Sequence, residues 1–418
     1  MGARALALAV LALVACERTS TKYCELHGLS DPASCGYMDA PTDTPKTCSL
    51  DTECAPGRCN TMSMLCVQCL TEADCPTASP FCDPQTNTCG ACRTNADCPS
   101  SAACLATGQC ADTADVIYAD GTNGNDGNPC TMQAPCKTIT HALTKLTTTR
   151  TTIKLTGAFH EAVVFLKTTA TILADPGTTL SSGGIALSFM MAGSAVQIFD
   201  LEIANTTKNA ASVAAGNKLS LTRVSIHDCS DVALLVAGTL DLSRSQVYSN
   251  PVGGISLAKN ASFDITNNFI HHNGTDATTF GGVAIGTTGQ STFEFNTVVD
   301  NDANMGGANV GGVVCTATGF HAPNNIIARN TLKGSATMAN ANVSAMSPCD
   351  FTGSAIQNDL TSFAFANPDA AAGWDYHIGS ASSAKDASTV PSLISEDVDS
   401  QPRPYGPAKD LGADEYHP

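Results

Sequence analysis

The chain is poor in charge, in aromatic rings and in long apolar runs, and each shortage excludes something. Only 14% of its 418 residues are charged and 5% are aromatic, with a single Trp, Trp374. Basic residues are in the minority: 21 Lys and Arg against 38 Asp and Glu leave a net charge of −17. Such a surface repels phosphate backbones and anionic headgroups, so nucleic acid is not an expected partner. No apolar stretch reaches the roughly 20 residues needed to span a bilayer. At 43% hydrophobic residues the chain still has ample material for a core, and it is long enough for two or three domains. Thr, Ala, Asn and Gly are abundant, which suits short strands and many turns, so an all-β class is expected.

Cysteine is plentiful, at twenty residues, and fifteen lie before residue 111. Twelve form three consecutive modules of four: Cys48, Cys54, Cys59, Cys66; Cys69, Cys75, Cys82, Cys89; and Cys92, Cys98, Cys104, Cys110. Module starts are 21 and 23 residues apart, and LTEADCP at 70 to 76 is echoed by RTNADCP at 93 to 99. These are repeats of one unit too small to order itself by burial alone, so cross-links within each module are expected over 48–112. Three connectivities per module are open. The C-x2-C joins at Cys66/Cys69 and Cys89/Cys92 also have zinc-ligand spacing, but no histidine lies between 48 and 110 to complete a mixed site. This region resembles the cysteine-rich repeats termed Dickkopf-like in bacterial surface proteins.

At the N-terminus one basic residue, Arg4, precedes an apolar run from Ala5 to Leu13 and the string LVAC at 13–16. Short h-regions of this kind are removed on export. The segment resembles the signal of bacterial lipoproteins, which implies cleavage of 1–15 and a diacylglycerol on the sulfur of Cys16. The alternative is an ordinary secretory signal cut nearby. The resemblance implies a lipid-anchored protein at the cell envelope, in a compartment where thiols are oxidised. Loss of Arg4 would take the net charge to −18. Residues 16–47 read as a tether, pinched by a Cys24–Cys35 bridge.

From 115 to 418 cysteines thin out. Five segments superimpose: LSLTRVSIHDC at 219, LDLSRSQVYSN at 240, FDITNNFIHHN at 263, FEFNTVVDN at 293 and PNNIIARN at 323. Each carries a branched aliphatic residue (Ile226, Val247, Ile270, Val298, Ile327) three positions before a terminal Cys229, Asn250, Asn273, Asn301 or Asn330. A drifting period of 21 to 29 residues with a recurrent Asn is the pattern of a parallel β-helix. Asn suits the sharp turn because it tolerates the left-handed conformation and can bond to its copy one coil away. Asn268, Asn296 and Asn325 offer a second ladder.

The opening stretch at 116–143 and two closing stretches, 375–388 and 399–416, resemble the ends of right-handed, single-stranded parallel β-helices of the pectin-lyase-like superfamily. SSAKD stands here where that family usually has S-P-A-I-D. The resemblance implies a C-terminal cap over 374–418 with Trp374 as its anchor. It also implies one of two roles, polysaccharide lyase or hydrolase, or binding and adhesion without catalysis. The family's paired-Asp strand motif, the following HG, RIK, W-I-D-H and R-x-P-x-x-R are all missing.

One polar constellation remains. Between aliphatic and Asn, a first column reads His227, Tyr248, His271, Val299, Ala328 and a second Asp228, Ser249, His272, Asp300, Arg329, both expected to face solvent. Stacking would set His272 beside Asp300 and Asp300 beside Arg329, the candidate catalytic group, able to bind sugar hydroxyls or orient a base. A solvated face with ordinary ion pairs is the bland alternative. No cofactor is expected, although the oxygen-rich loop with Asp120, Asn123 and Asp126 has calcium chemistry available or is simply a turn. Cysteine parity completes the reading. Cys130 with Cys136 and Cys315 with Cys349 are expected to pair, leaving Cys229 as a shielded free thiol.

Overall fold

The computed structural model describes residues 46–76, 78–286, 291–344, 347–369 and 373–418. Cys16, Cys24, Cys35, the lipobox and nearly all of the tether lie outside them. The chain forms two compact units, divided between Ala91 and Cys92.

In the first unit each module joins its first cysteine to its third and its second to its fourth: Cys48–Cys59 and Cys54–Cys66, then Cys69–Cys82 and Cys75–Cys89. The C-x2-C cysteines are thereby consumed as disulfides instead of zinc thiolates. Each bridge closes a loop of 11 to 14 residues, worth about 3 kcal/mol of chain entropy. The acidic residue of each repeat has a local task. Glu53 accepts from the Ser49 and Leu50 amides, and Asp74 from those of Leu70 and Thr71, closing a 3-10 turn. A short antiparallel hairpin follows, Arg58–Asn60 with Leu65–Val67 in one module and Phe81–Cys82 with Cys89–Gly90 in the next.

The second unit begins with the third module, bridged in the same way by Cys92–Cys104 and Cys98–Cys110. It is tied to the following domain: Asn95 donates to the Ala174 carbonyl at 3.0 Å and the Tyr118 hydroxyl to that of Ser101 at 2.9 Å. From Val116 the chain winds into a parallel β-helix. Each central coil supplies one strand to each of three parallel sheets, which contain eight, nine and seven strands. One coil illustrates the path: Lys218–Thr222 lies in the first sheet, Ser225–His227 in the second and Leu234–Val236 in the third. The sequence pattern resolved only two flat strands per coil, because it captured the first two sheets as one segment. Alternation decides what faces inward. Leu219 and Leu221, Ile226, and Leu234 and Val236 are fully buried or nearly so, and each sits in register on its counterpart in the next coil. A five-residue helix, Ile139–Leu143, packs on the first coils, with Thr138 as its N-cap and the Glu161 carboxylate accepting from its first two amides.

Between the second and third sheets runs the Asn ladder. Asn250 Nδ2 donates to Asn273 Oδ1 at 2.9 Å, Asn273 to Asn301 at 3.0 Å, Asn301 to Asn330 at 2.8 Å and Asn330 to Asn342 at 3.0 Å. The second ladder runs from Asn268 to Asn296 at 2.9 Å and on to Asn325 at 3.2 Å. The turn geometry corrects one expectation. The left-handed residue is the one before each ladder position: Asp228, Ser249, His272, Asp300 and Arg329 all have φ between 48° and 57°. That residue makes the corner, and the Asn turns inward to satisfy the buried backbone groups beneath it.

Cys229 heads this ladder. Its amide donates to Asn250 Oδ1 at 3.0 Å, its side chain is fully buried and unbridged, and burial pushes its thiol pKa up. A neutral, enclosed thiol is a poor nucleophile. Native protein should therefore resist a thiol reagent at Cys229 and denatured protein should react fully, as peptide mass mapping would show. Cys130–Cys136 and Cys315–Cys349 bridge the opening loop and the last coils.

The C-terminal segment lies on the outer face of the second sheet. Ile270, Val298 and Ile327 point into the helix core, so their neighbours Phe269, Val299, Ile326 and Ala328 point out, and they are buried against Phe363, Phe365, Tyr376, Ile378, Leu411 and Ala413. Gly412 is required there. It adopts φ 86°, and a Cβ would stand 2.6 Å from an Ile326 methyl carbon. The buried Arg403 guanidinium donates to the Asp410, Gly412 and Ala413 carbonyls and sits 4.3 Å over the Phe295 ring.

Candidate functional site

The cap covers only the last rungs of the second sheet's outer face. Earlier rungs present Glu202, Ser225 with His227, and Gln246 with Tyr248, all partly or fully exposed. Parallel register sets like positions one coil apart, and the rings use it. His227 stacks on Tyr248 at 4.7 Å and 16°, and Tyr248 on His271 at 5.1 Å and 6°. Where the row meets the cap, Trp374 stands edge-on to Tyr248 at 6.0 Å and stacks on His272 at 4.1 Å. At the open end the His227 ring is held on both sides, Nδ1 2.7 Å from Asp228 and Nε2 3.3 Å from Glu202. The result is a shelf of rings with polar edges, bounded by two carboxylates and closed at one end by an indole.

The two columns expected to face solvent therefore part company at the cap. His227, Asp228, Tyr248 and Ser249 are accessible to varying degrees, but His271, Val299 and Ala328 are buried beneath it. Of the candidate catalytic group, Asp300 and Arg329 do meet, in a bidentate pair at 2.5 and 3.0 Å. His272 instead turns to Trp374, with its Nδ1 3.1 Å from Nδ1 of His271. Asp300 is further engaged by the Tyr376 hydroxyl at 2.6 Å, and Arg329 by Asp369 at 2.6 Å and by the Pro368 carbonyl at 3.3 Å. Both Asp300 oxygens are thus occupied by groups holding the cap in place. The ion pair raises the Arg329 pKa, and burial beside Asp300 raises that of Tyr376, which stays a protonated donor.

Sequence reasoning missed Glu202, Tyr376 and Asp369. Glu202 was legible: FDLEIANT at 199 to 206 fits the coil pattern, with Ile203 in register with Ile226 and Thr206 at the ladder position. Tyr376 reaches Asp300, and Asp369 reaches Arg329, only because the chain folds back on the sheet, and no spacing encodes that. The calcium candidates divide. Asp120 accepts from the Thr122 and Asn123 amides and from the Asn123 side chain, whereas Asp126 is directed to the Lys137 and Thr138 amides and the Thr138 hydroxyl.

Burial holds the His271 pKa well below the ordinary histidine value, reinforced by His272, so the ring is neutral in the fold. Burial also lowers His272, with the nearby Asp300 opposing and Arg329 assisting. A histidine whose folded pKa is depressed contributes stability above the unfolded value of about 6.5, and loses it as pH falls below that value. The melting temperature of the parent relative to His271→Phe, which keeps a ring in the stack, is accordingly expected to fall between about pH 7.5 and pH 5. An unchanged difference between variant and parent across the range would refute this account.

No family model matches the chain, and no curated protein matches it. Among solved structures the chain is similar to one described as the crystal structure of pectate lyase Pel9A, with a TM-score of 0.39 and 16% identity over 72% of this chain and 96% of that one. The assignment of a parallel β-helix with a disulfide-rich N-terminal region rests on the strand registers and bridges described above.

Proposed function

We propose that this is an exported, lipid-anchored protein of the bacterial cell envelope, whose β-helix binds polysaccharide along the open outer face of its second sheet without catalysing its cleavage. The observation that carries this reading is the engagement of Asp300. Proton abstraction or glycosidic cleavage needs a carboxylate or imidazole with a free lone pair beside the substrate. Both Asp300 oxygens are engaged by Arg329 and Tyr376, and His271 lies beneath the cap. The open end, with Glu202, His227, Tyr248 and half-buried Trp374, is furnished for binding instead: ring surface for sugar faces, and polar edges for hydroxyls. The anchor at Cys16 would tether this face outside the cytoplasm, behind the disulfide-linked repeats.

A glycan array with the full-length protein tests the reading. Binding to a defined polysaccharide is expected, weakened about tenfold or more by Tyr248→Ala or Trp374→Ala, corresponding to about 1.4 kcal/mol each. In parallel, uronate polymers are screened for unsaturated products. Robust turnover abolished by His272→Ala or Arg329→Ala would establish the lyase in place of the binding protein. Cys16→Ser should release the protein from the membrane fraction; retention with unchanged processing would remove the anchor from the proposal.

A further inference from the structure

At the other end of the same strands the cap leaves a cleft of about 380 Å³, whose walls include Arg223, Arg244, Gln246, Phe269, His377 and Asp399. His377 belongs to the cap strand Asp375–Ile378. Asp375, on the same side of that strand, stands 2.5 Å from His377 Nδ1 and also accepts from the His377 amide at 3.0 Å. Asp375 engages Nδ1, and the other ring nitrogen, Nε2, points away from it. Nε2 is buried, has no hydrogen bond of acceptable geometry, and faces the Asp399 carboxylate at 3.0 Å. A lone pair pointed at a carboxylate is repulsive unless something positive lies between them.

Asp414 completes the group from the last segment of the chain. It is almost wholly buried, and one of its oxygens accepts the Ile378 amide at 2.7 Å. Ligand atoms of His377, Asp399 and Asp414 all lie within 4.8 Å of one another. Three carboxylates, with Asp375, surround one imidazole. The cations on the cleft wall are committed elsewhere: Arg223 to Asp200 at 2.6 and 2.8 Å, and Arg244 to Glu396 and Ser400 at 2.7 and 2.9 Å. One imidazole and two carboxylates, with metal bonds of about 2.0 to 2.2 Å, form the three-protein-ligand set that zinc takes when a fourth position stays open.

We propose that His377 Nε2, Asp399 and Asp414 bind a divalent cation of zinc type, with Asp375 as the carboxylate that orients the imidazole. The ion ties three stretches of the cap together: the strand at 375–378, the loop at 397–400 and the terminal segment at 410–415. Its fourth position opens on the cleft, where water or a ligand hydroxyl completes the coordination. The site is independent of the polysaccharide reading, since none of its ligands belongs to the aromatic shelf.

The test uses the full-length protein, freed of metal with a chelator and then given zinc, calcium or magnesium chloride. Zinc is expected to raise the melting temperature by about 5 °C at a hundredfold excess over its Kd, with smaller shifts for the other two ions. Metal analysis after dialysis should find one zinc per chain that Asp399→Asn and His377→Ala both lose, together with the thermal shift. Asp399→Asn is nearly isosteric and half exposed, so its fold should persist, as Trp374 fluorescence would verify. His321→Ala, at an exposed histidine outside the cluster, should keep both zinc and shift. Equal zinc content and equal shift in all four proteins, or no zinc retained by the parent, would overturn the proposal and leave a proton bridging His377 and Asp399.

Discussion

Asn301→Ala is expected to destabilise the protein by about 4 kcal/mol or more, read as a fall in the urea midpoint at unchanged slope. The fully buried Asn301 side chain makes five hydrogen-bond contacts. Its Nδ2 donates to the Ile270 and Val299 carbonyls and to Asn330 Oδ1, and its Oδ1 accepts from the Asn273 amide and Nδ2. Alanine leaves these partners buried and unpaired, each costing roughly 1–3 kcal/mol before relaxation. The neighbouring rungs are coupled through the same amides, so Asn273→Ala combined with Asn301→Ala should cost less than the two changes added. Strict additivity would mean that the rungs act singly and that the ladder is not a cooperative chain.

Arg329→Ala should cost about 2–3 kcal/mol and loosen the cap specifically. Removing one partner of a buried ion pair leaves the other charge uncompensated, and the partial exposure of Arg329 tempers the loss. Asp300 would keep only the Tyr376 hydroxyl, and the 368–369 segment would lose its tie to the sheet. Trp374 is the only tryptophan and packs on His272, two coils before Arg329, so its emission should move to longer wavelength well before global unfolding. The double variant Asp300→Ala with Arg329→Ala should be less destabilised than the sum, since no lone charge remains. If Trp374 emission changed only with global unfolding, the pair would not be what holds the cap.

The coils were legible because a β-helix is nearly one-dimensional: each rung contacts its neighbours, so the same demand returns every 21 to 29 residues and leaves a period in the sequence. Branched aliphatics mark the inward positions for the same reason, and the ladder Asn marks the turn. The left-handed residue escaped notice because Asp, Ser, His and Arg all fill that position; the backbone demands a conformation there and tolerates several side chains. The boundary between the first two sheets was blurred because only two residues separate their strands in a coil, as between Lys218–Thr222 and Ser225–His227.

By itself, then, the sequence determined the disulfide-stapled repeats, the stacked coils and their inward columns, since these follow from local spacing and repetition. The fate of the polar columns was decided only in three dimensions. The outward faces of Val299 and Ala328 are apolar because Phe363, Phe365 and Tyr376, distant in the chain, come to rest on them. That return joins Asp300 to Tyr376 and Arg329 to Asp369, and it gathers His377, Asp399 and Asp414 from separate segments. Contacts of this kind join residues of unrelated spacing, and their energy comes from burial and charge pairing across the fold, which no local pattern records.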